Sequence, residues 1–263
     1  MSSIREKYFE LKKIDSKYLN ENIIKQLLML VNDIESDFDL LTSFDNECKK
    51  IDLLNSYVEE IIKGKPFQYV VGKSYFCNHE FYVDENVLIP RNETEELVKL
   101  TLEHINKIYN RQNVQIFDVC TGSGCIGISL KLAIPESIVF ISDISDNAIN
   151  VATKNKVKHN VGISILKGDM LEPFIKDNLK ADVIVCNPPY IGSTLTVDEQ
   201  TLKYEPHLAL FASPNTFFYE KLFQECDKVL NDLGLICLEI GEDMVNPLTE
   251  LIETYFPDSQ YNF

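Results

Sequence analysis

Apolar positions recur at helical spacing through the amino-terminal part of the chain. Leu27, Leu28, Leu30, Val31 and Ile34 fall on one such stripe, and Ile51, Leu54, Val58, Ile61 and Ile62 on another. No glycine precedes Gly64 and no proline precedes Pro66, so nothing interrupts a helix here except the polar clusters Glu35 to Asp39 and Asp45 to Lys50. The pattern predicts a small helical bundle over residues 1–66, closing at Gly64, a residue suited to the left-handed position past a helix end.

The texture changes after Pro66. Phe67 to Val71, Tyr75 to Cys77, Glu80 to Val83 and Val87 to Ile89 are short β-type runs broken by Gly72, Asn78 and Asp84 to Asn86, which predicts a hairpin linker over 67–92. Asn92 and Glu95 have the spacing of a capping box, and Leu97, Val98 and Leu100 continue as a helix to about Asn110. Glu93 and Glu95 complement the positive end of that helix or face an active site.

Strands and helices alternate from Val114 onward. Val114 to Val119, Val139 to Ser142, Ile163 to Lys167, Ala181 to Cys186 and Gly234 to Ile240 read as strands; Gly124 to Ala133, Asn147 to Val157 and Phe217 to Leu230 read as helices. This alternation predicts an α/β domain over 93–263, with a mostly parallel sheet covered on both faces. Gly192 to Thr216 has few periodic apolar positions and reads as a loop forming a lid or a substrate rim.

Charge narrows the partners. The formal charge is −16; residues 1–66 hold 10 basic and 13 acidic side chains, leaving 15 basic and 28 acidic, a net −13, on the remainder. Such a field repels a phosphate backbone and attracts a basic protein surface. Seven cysteines without a C-x-x-C pair read as reduced thiols rather than a disulfide frame or a metal site. No charged-then-apolar leader and no membrane-length apolar run occurs, so the expectation is a cytoplasmic protein without membrane contact.

The sharpest chemical signal is Asn187-Pro188-Pro189-Tyr190, directly after the apolar run Ala181 to Cys186. A strand that stops there places the tetrapeptide at the carboxyl edge of the sheet, where open α/β sheets bind ligands. Two prolines remove two amide donors and leave the carbonyls of Asn187 and Pro188 available; the Asn187 side chain adds an acceptor and Tyr190 a flat face. Together they suit a planar NH₂ group, either an amide or an exocyclic amine.

A second signal lies upstream. Gly122, Gly124 and Gly127 fit G-x-G-x-x-G between a strand and a helix, and Asp143 ends the next strand, where a carboxylate can accept ribose hydroxyls. Dinucleotides and S-adenosylmethionine compete for such a site. Asp118, four residues before Gly122, repels a pyrophosphate and can hold an ammonium, directly or through water. Asp169 and Met170 follow the strand ending at Lys167, where an adenine could meet them.

Together with Gln68-Tyr69-Val70-Val71-Gly72, Val87 to Glu95, and Tyr204-Glu205-Pro206 with Ala209-Leu210, these motifs resemble the PrmC/HemK family, which methylates the glutamine side-chain amide in the Gly-Gly-Gln loop of peptide chain release factors. The resemblance implies a class I S-adenosylmethionine-dependent methyltransferase fold, Rossmann-like, with a small helical amino-terminal domain that grips the release factor. It implies that Cys120, Thr121, Gly122, Ser123, Gly124, Asp143, Asp169 and Met170 line the cofactor, that Asn187 and the Pro188 carbonyl hold the amide, and that Tyr190 packs against it. The implied partner is a release factor, with no direct nucleic-acid contact and the chain acting as a monomer. The sequence departs from the family at Asn92, where proline is usual, and at Gln260 to Phe263, where the family continues through a sheet-closing hairpin, which suggests a shortened carboxyl end.

Other readings stay open at this level. The clamp also fits a glutamine of a ribosomal protein or an adenine amine in nucleic acid, although the net −13 opposes the latter. A nicotinamide-dependent oxidoreductase would explain the glycines and leave the clamp unexplained, and a scaffold with a vestigial pocket is a further reading. None of His79, His104, His159 and His207 is needed as a base.

Overall fold

A computed structural model describes residues 2–109, 113–192 and 197–263. The chain divides into two compact units, Met1–Gly72 and Lys73–Phe263.

The first unit is helical: α1 (Ile4–Leu11), α2 (Glu21–Asn32), α3 (Asp37–Thr42), α4 (Ile51–Ile62) and α5 (Phe67–Val71). Ser3 and Glu6 form a capping box at α1, while Asn20 and Ser36 cap α2 and α3 through their side chains. The two predicted stripes meet in one core, where Leu27, Leu28, Val31, Leu54 and Ile61 are buried, while Ile62 stays exposed. Phe67 to Val71 is a helix and not the expected strand. Pro66 supplies its start, Gly72 (φ 71°) its left-handed end, and Phe67, Val70 and Val71 pack on the helical core, which overrides the β preference of the valines.

The second unit opens with the antiparallel pair β1 (Lys73–Phe76) and β2 (His79–Tyr82). Their two-residue turn, Cys77 and Asn78, has positive φ at both positions, the backbone that matches strand twist. Val87 to Ile89 forms no strand, in contrast to its β-type composition; the Ile89 N–H donates instead to the Glu205 carboxylate at 3.1 Å. Next come α6 (Asn92–Tyr109), β3 (Gln115–Val119), α7 (Cys125–Ala133), β4 (Ile138–Asp143), α8 (Asp146–Lys158), β5 (Ser164–Lys167), α9 (Glu172–Lys176), β6 (Ala181–Cys186), α10 (Glu199–Tyr204), α11 (Phe217–Glu225), β7 (Leu230–Leu238) and α12 (Val245–Tyr255).

The five-stranded sheet has the order β5-β4-β3-β6-β7, and every neighbouring pair is parallel. Alternate residues serve opposite faces. Ile116, Ile141, Val183 and Val185 pack with Ile126 and Leu130 on one side; Phe117, Val119, Ile184 and Cys186 pack with Phe174 and Leu222 on the other. Removing a ring such as Phe117 by substitution to alanine costs about 3–5 kcal/mol.

Two boundaries differ from the pattern reading. The helix after Phe217 stops at Glu225, a 3-10 turn covers Cys226–Lys228, and Leu230 already pairs with Ala181 in β7. An irregularity between Ala181 and Val183, with Leu233 at φ 60° and exposed, lets β7 begin before Gly234. The expected loop after Gly192 carries α10 and a short 3-10 turn, His207–Ala209; residues 193–196 lie outside the described residues.

The chain runs β3, β4, β5 toward one edge and then returns to place β6 on the other side of β3. At that reversal Val119 pairs with Cys186, so the glycine turn and the Asn-Pro-Pro-Tyr segment leave adjacent strands side by side.

Candidate functional site

A cavity of about 330 Å³ opens at this carboxyl edge. From the glycine turn it is lined by Cys120, Thr121, Gly122 and Ser123; from the later strand ends by Asp143, Asp169, Met170, Asn187 and Pro189. Val87, Leu88 and Pro90 with Phe217 and Phe218 supply apolar wall, and Pro206, Leu208 and Ala209 supply the rim that the loop reading anticipated.

The turn is held from below. Cys120, Gly122 and Gly124 have φ of 59°, 55° and 83°, and the Thr121 N–H donates to Ser142 O. A Cβ added at Gly122 would meet no protein atom within 4 Å, so it would project into open space. Asp143 accepts from the Gly122 N–H and the Ser145 N–H, each at 2.9 Å, through different oxygens. Burial raises its carboxyl above the ordinary range, opposed by backbone hydrogen bonds.

Asp118 serves a different purpose from the expected ammonium contact. It is fully buried and does not line the cavity; its Oδ2 accepts from the Thr121 hydroxyl at 2.5 Å and the Gly127 N–H at 2.8 Å, which locks the turn onto α7. Burial pushes its carboxyl up to about 7, and its Oδ1 is buried without a hydrogen-bond partner among the described residues. Gly124 also stays off the cavity, as the residue preceding α7, where a side chain would press on Ile128 and Ala152.

The expected clamp is divided. Asn187 and Pro189 line the cavity, whereas Pro188 is buried away from it and Tyr190 turns to a cluster with Tyr219, Met244 and Leu248. The Tyr190 hydroxyl donates to Glu239 Oε1 at 3.4 Å; burial, with the Glu239 charge, pushes the phenol up to about 12. Tyr190 therefore braces the segment through Glu239 and this cluster. Asn187 Nδ2 donates to Thr94 Oγ1 at 3.3 Å.

Glu95, expected to close a capping box, accepts from the Cys77 N–H at 2.9 Å, and Asn92 is the first residue of α6. Glu93 is exposed and off the cavity. Asp169 pairs with Lys221 at 2.5 Å, and Met170 packs its sulfur 3.6 Å from that of Cys120. None of the four histidines lines the cavity, and all seven cysteines are free.

Three positions in or beside the cavity were not singled out by the sequence reading. Thr94 shares a helical stripe with Leu97, Val98 and Thr101, all buried, and that spacing could have marked it as inward-facing. Glu239 is a lone acid closing an apolar strand, the same signal that identified Asp143. Arg91 lines the cavity and pairs with Glu205 at 2.5 Å, a contact across 114 positions with no local signature.

Residues 91–204 match the methyltransferase small domain family. The release factor glutamine methyltransferase of Leptospira interrogans serogroup Icterohaemorrhagiae serovar Lai is 37% identical over 265 residues, covering 97% of this chain and 86% of its own. That of Bacillus subtilis strain 168 is 34% identical, covering 96% and 91% respectively, and that of Mycoplasma mycoides subsp. mycoides SC 35%, covering 92% and 84%. Among solved structures, the hMettl16 catalytic domain superposes with a TM-score of 0.52 at 15% identity, covering 77% of this chain and 71% of that one, which speaks to the fold alone.

Proposed function

Because the chain belongs to the release factor glutamine methyltransferase family, we infer that it transfers a methyl group from S-adenosylmethionine to the side-chain amide nitrogen of the glutamine in the Gly-Gly-Gln loop of a peptide chain release factor. The observation that carries this reading is that Asn187 and the Gly122–Asp143 pair line one and the same cavity.

The residues present suit the cofactor. Gly122 leaves room where any side chain would intrude, and Asp143, fixed by two N–H groups, keeps lone pairs for ribose hydroxyls. Met170, Phe217 and Phe218 offer apolar surface for a base. When bound, S-adenosylmethionine supplies a methyl group already activated by its positive sulfur, so the chain need not provide a strong base.

The protein's task is placement and amide activation. An amide nitrogen is a poor nucleophile because its lone pair is delocalised. Asn187, accepting from the amide out of its plane, favours a pyramidal nitrogen, and the proton leaves to water afterwards. Orientation alone can supply several kcal/mol, with ~7 at the low end. Pro189 forms wall beside this acceptor, and Pro188 and Tyr190 hold the segment's shape from outside the cavity.

The net −13 of residues 67–263 favours a basic protein surface over nucleic acid. The helical unit serves to hold the release factor, and the chain acts as a cytoplasmic monomer; among the described residues no helix is long and apolar enough to cross a membrane. Incubation with labelled S-adenosylmethionine and purified release factors, followed by peptide mass mapping, should place the label on the glutamine. Asn187→Ala should reduce transfer by ~10²-fold or more while cofactor affinity changes little. Label on another residue, or undiminished turnover by the variant, would overturn the reading.

A further inference from the structure

Glu239 follows the last residue of β7 and stands beside the segment that leaves β6. Its backbone is pinned at both ends: the N–H donates to Cys186 O at 3.1 Å, and the carbonyl accepts from the Tyr219 hydroxyl at 2.8 Å. These bonds hold its backbone beside Cys186, the residue before Asn187. The Tyr190 hydroxyl donates to Glu239 Oε1 at 3.4 Å, and Thr94 and Asn187 are close enough to oppose the rise in its carboxyl that burial causes. Its Oε2 is buried and makes no bond of ordinary hydrogen-bond geometry with the described residues.

A carboxylate only accepts, whereas the two ends of an asparagine amide are nearly equal in shape and opposite in polarity. Packing by itself cannot tell Oδ1 from Nδ2. A charged acceptor can, because it attracts the NH₂ end and repels the oxygen. Thr94 adds to the choice: its oxygen accepts from Asn187 Nδ2 at 3.3 Å.

We propose that Glu239 is a positioning residue that fixes the Asn187 amide with its NH₂ toward Thr94 and Glu239, so that the cavity is offered an acceptor oxygen and not a second set of donors. This rests on the reading that the substrate is a primary amide, whose own NH₂ requires an acceptor. Glu239 touches neither substrate nor cofactor in this role; it acts through Asn187.

The test uses the full chain carrying Glu239→Gln, which keeps the shape of the side chain and removes its charge, so that either amide orientation can be bonded. The expected result is a fall in kcat of about 10²-fold with S-adenosylmethionine affinity retained. Added to Asn187→Ala, the same substitution should cause no further loss, since residues acting as a unit are not additive. Undiminished kcat in Glu239→Gln, or a multiplied loss in the double variant, would overturn the proposal. Thr94→Val is the second variant, removing the bridging hydroxyl while leaving the carboxylate. It should also lower kcat without adding to Asn187→Ala, and full activity in it counts against the proposal. An NMR arm needs no turnover and so separates this idea from the functional reading. The Asn187 side-chain NH₂ signals should be slow to exchange and should shift in both Glu239→Gln and Thr94→Val; signals unchanged in both variants would overturn it whatever the substrate proves to be.

Discussion

Tyr82 and Asn155 exchange two hydrogen bonds across 73 positions of sequence: the Tyr82 N–H donates to Asn155 Oδ1 at 2.7 Å, and Asn155 Nδ2 donates to Tyr82 O at 2.9 Å. The side-chain amide of α8 imitates the backbone of a neighbouring strand at the end of β2. Its other hydrogen goes to Ser123 O at 2.8 Å, within the turn that lines the cavity. One fully buried side chain thus ties the β1–β2 hairpin to the glycine turn. Asn155→Leu would leave three backbone groups without partners, each buried orphan costing about 1–3 kcal/mol. A loss of about 3 kcal/mol or more in urea unfolding is expected, with weakened cofactor binding.

The Arg91–Glu205 pair joins the start of α6 to the cavity rim. Glu205 is almost completely buried and Arg91 about one third exposed. Removing the cation leaves a buried carboxylate with the Ile89 N–H as donor, the single Thr201 hydrogen being directed at Asp198 at 2.5 Å. Arg91→Met should therefore destabilise the chain by about 2–3 kcal/mol, somewhat less than a fully buried pair would give because solvent screens the arginine. Arg91→Met combined with Glu205→Gln should recover part of that loss in the same denaturation measurement.

Gly122 of the turn and Gly127 of α7 should fail in different ways when replaced by alanine. At Gly127 the added methyl would meet Ile141 and Asp118, so Gly127→Ala should cost about 1–3 kcal/mol of folding stability. At Gly122 the methyl meets no protein atom but enters the cavity at φ 55°. Gly122→Ala should cost about 1–2 kcal/mol in backbone strain and lower S-adenosylmethionine affinity by about tenfold or more. Calorimetric titration beside thermal unfolding distinguishes the two.

Asp118 should make stability depend on pH. Burial holds its carboxyl at about 7 against an ordinary value of 3.8, so the folded chain binds a proton that the unfolded chain releases. That preference is fully present below about 3.8 and is lost as pH rises toward about 7, by at most on the order of 4 kcal/mol. Asp143 and Glu239 are also raised by burial and act in the same direction. Asp118→Asn cannot ionise, so its stability should decline less than the parent's between about pH 4 and about pH 7, as read by denaturant midpoints at each pH.

Much of the site was legible because its elements are short and contiguous. Gly122, Asp143 and Asn187 each sit directly after an apolar run, and in a parallel sheet strand ends are ligand positions. Asp118 was legible as a special residue and misjudged as a ligand contact. Its partners Thr121 and Gly127 lie within nine residues, but only the folded turn shows that they enclose its carboxylate. The packing of Tyr190 was not legible, since the cluster it joins comes from Tyr219, Met244 and Leu248 far along the chain.

By itself the sequence determined the helical character of the amino-terminal stretch, the alternation that makes a covered parallel sheet, and the loop chemistry at its edge. These depend on periodicity and on backbone properties of glycine and proline, which act within a few residues. The tertiary structure decided that Phe67 to Val71 is helical, that Thr94 faces Asn187, that Pro188 and Tyr190 lie off the cavity, and that Glu239 stands beside Tyr190. Those outcomes depend on burial and strand register, which bring together groups more than 90 positions apart in one case and which no local pattern encodes.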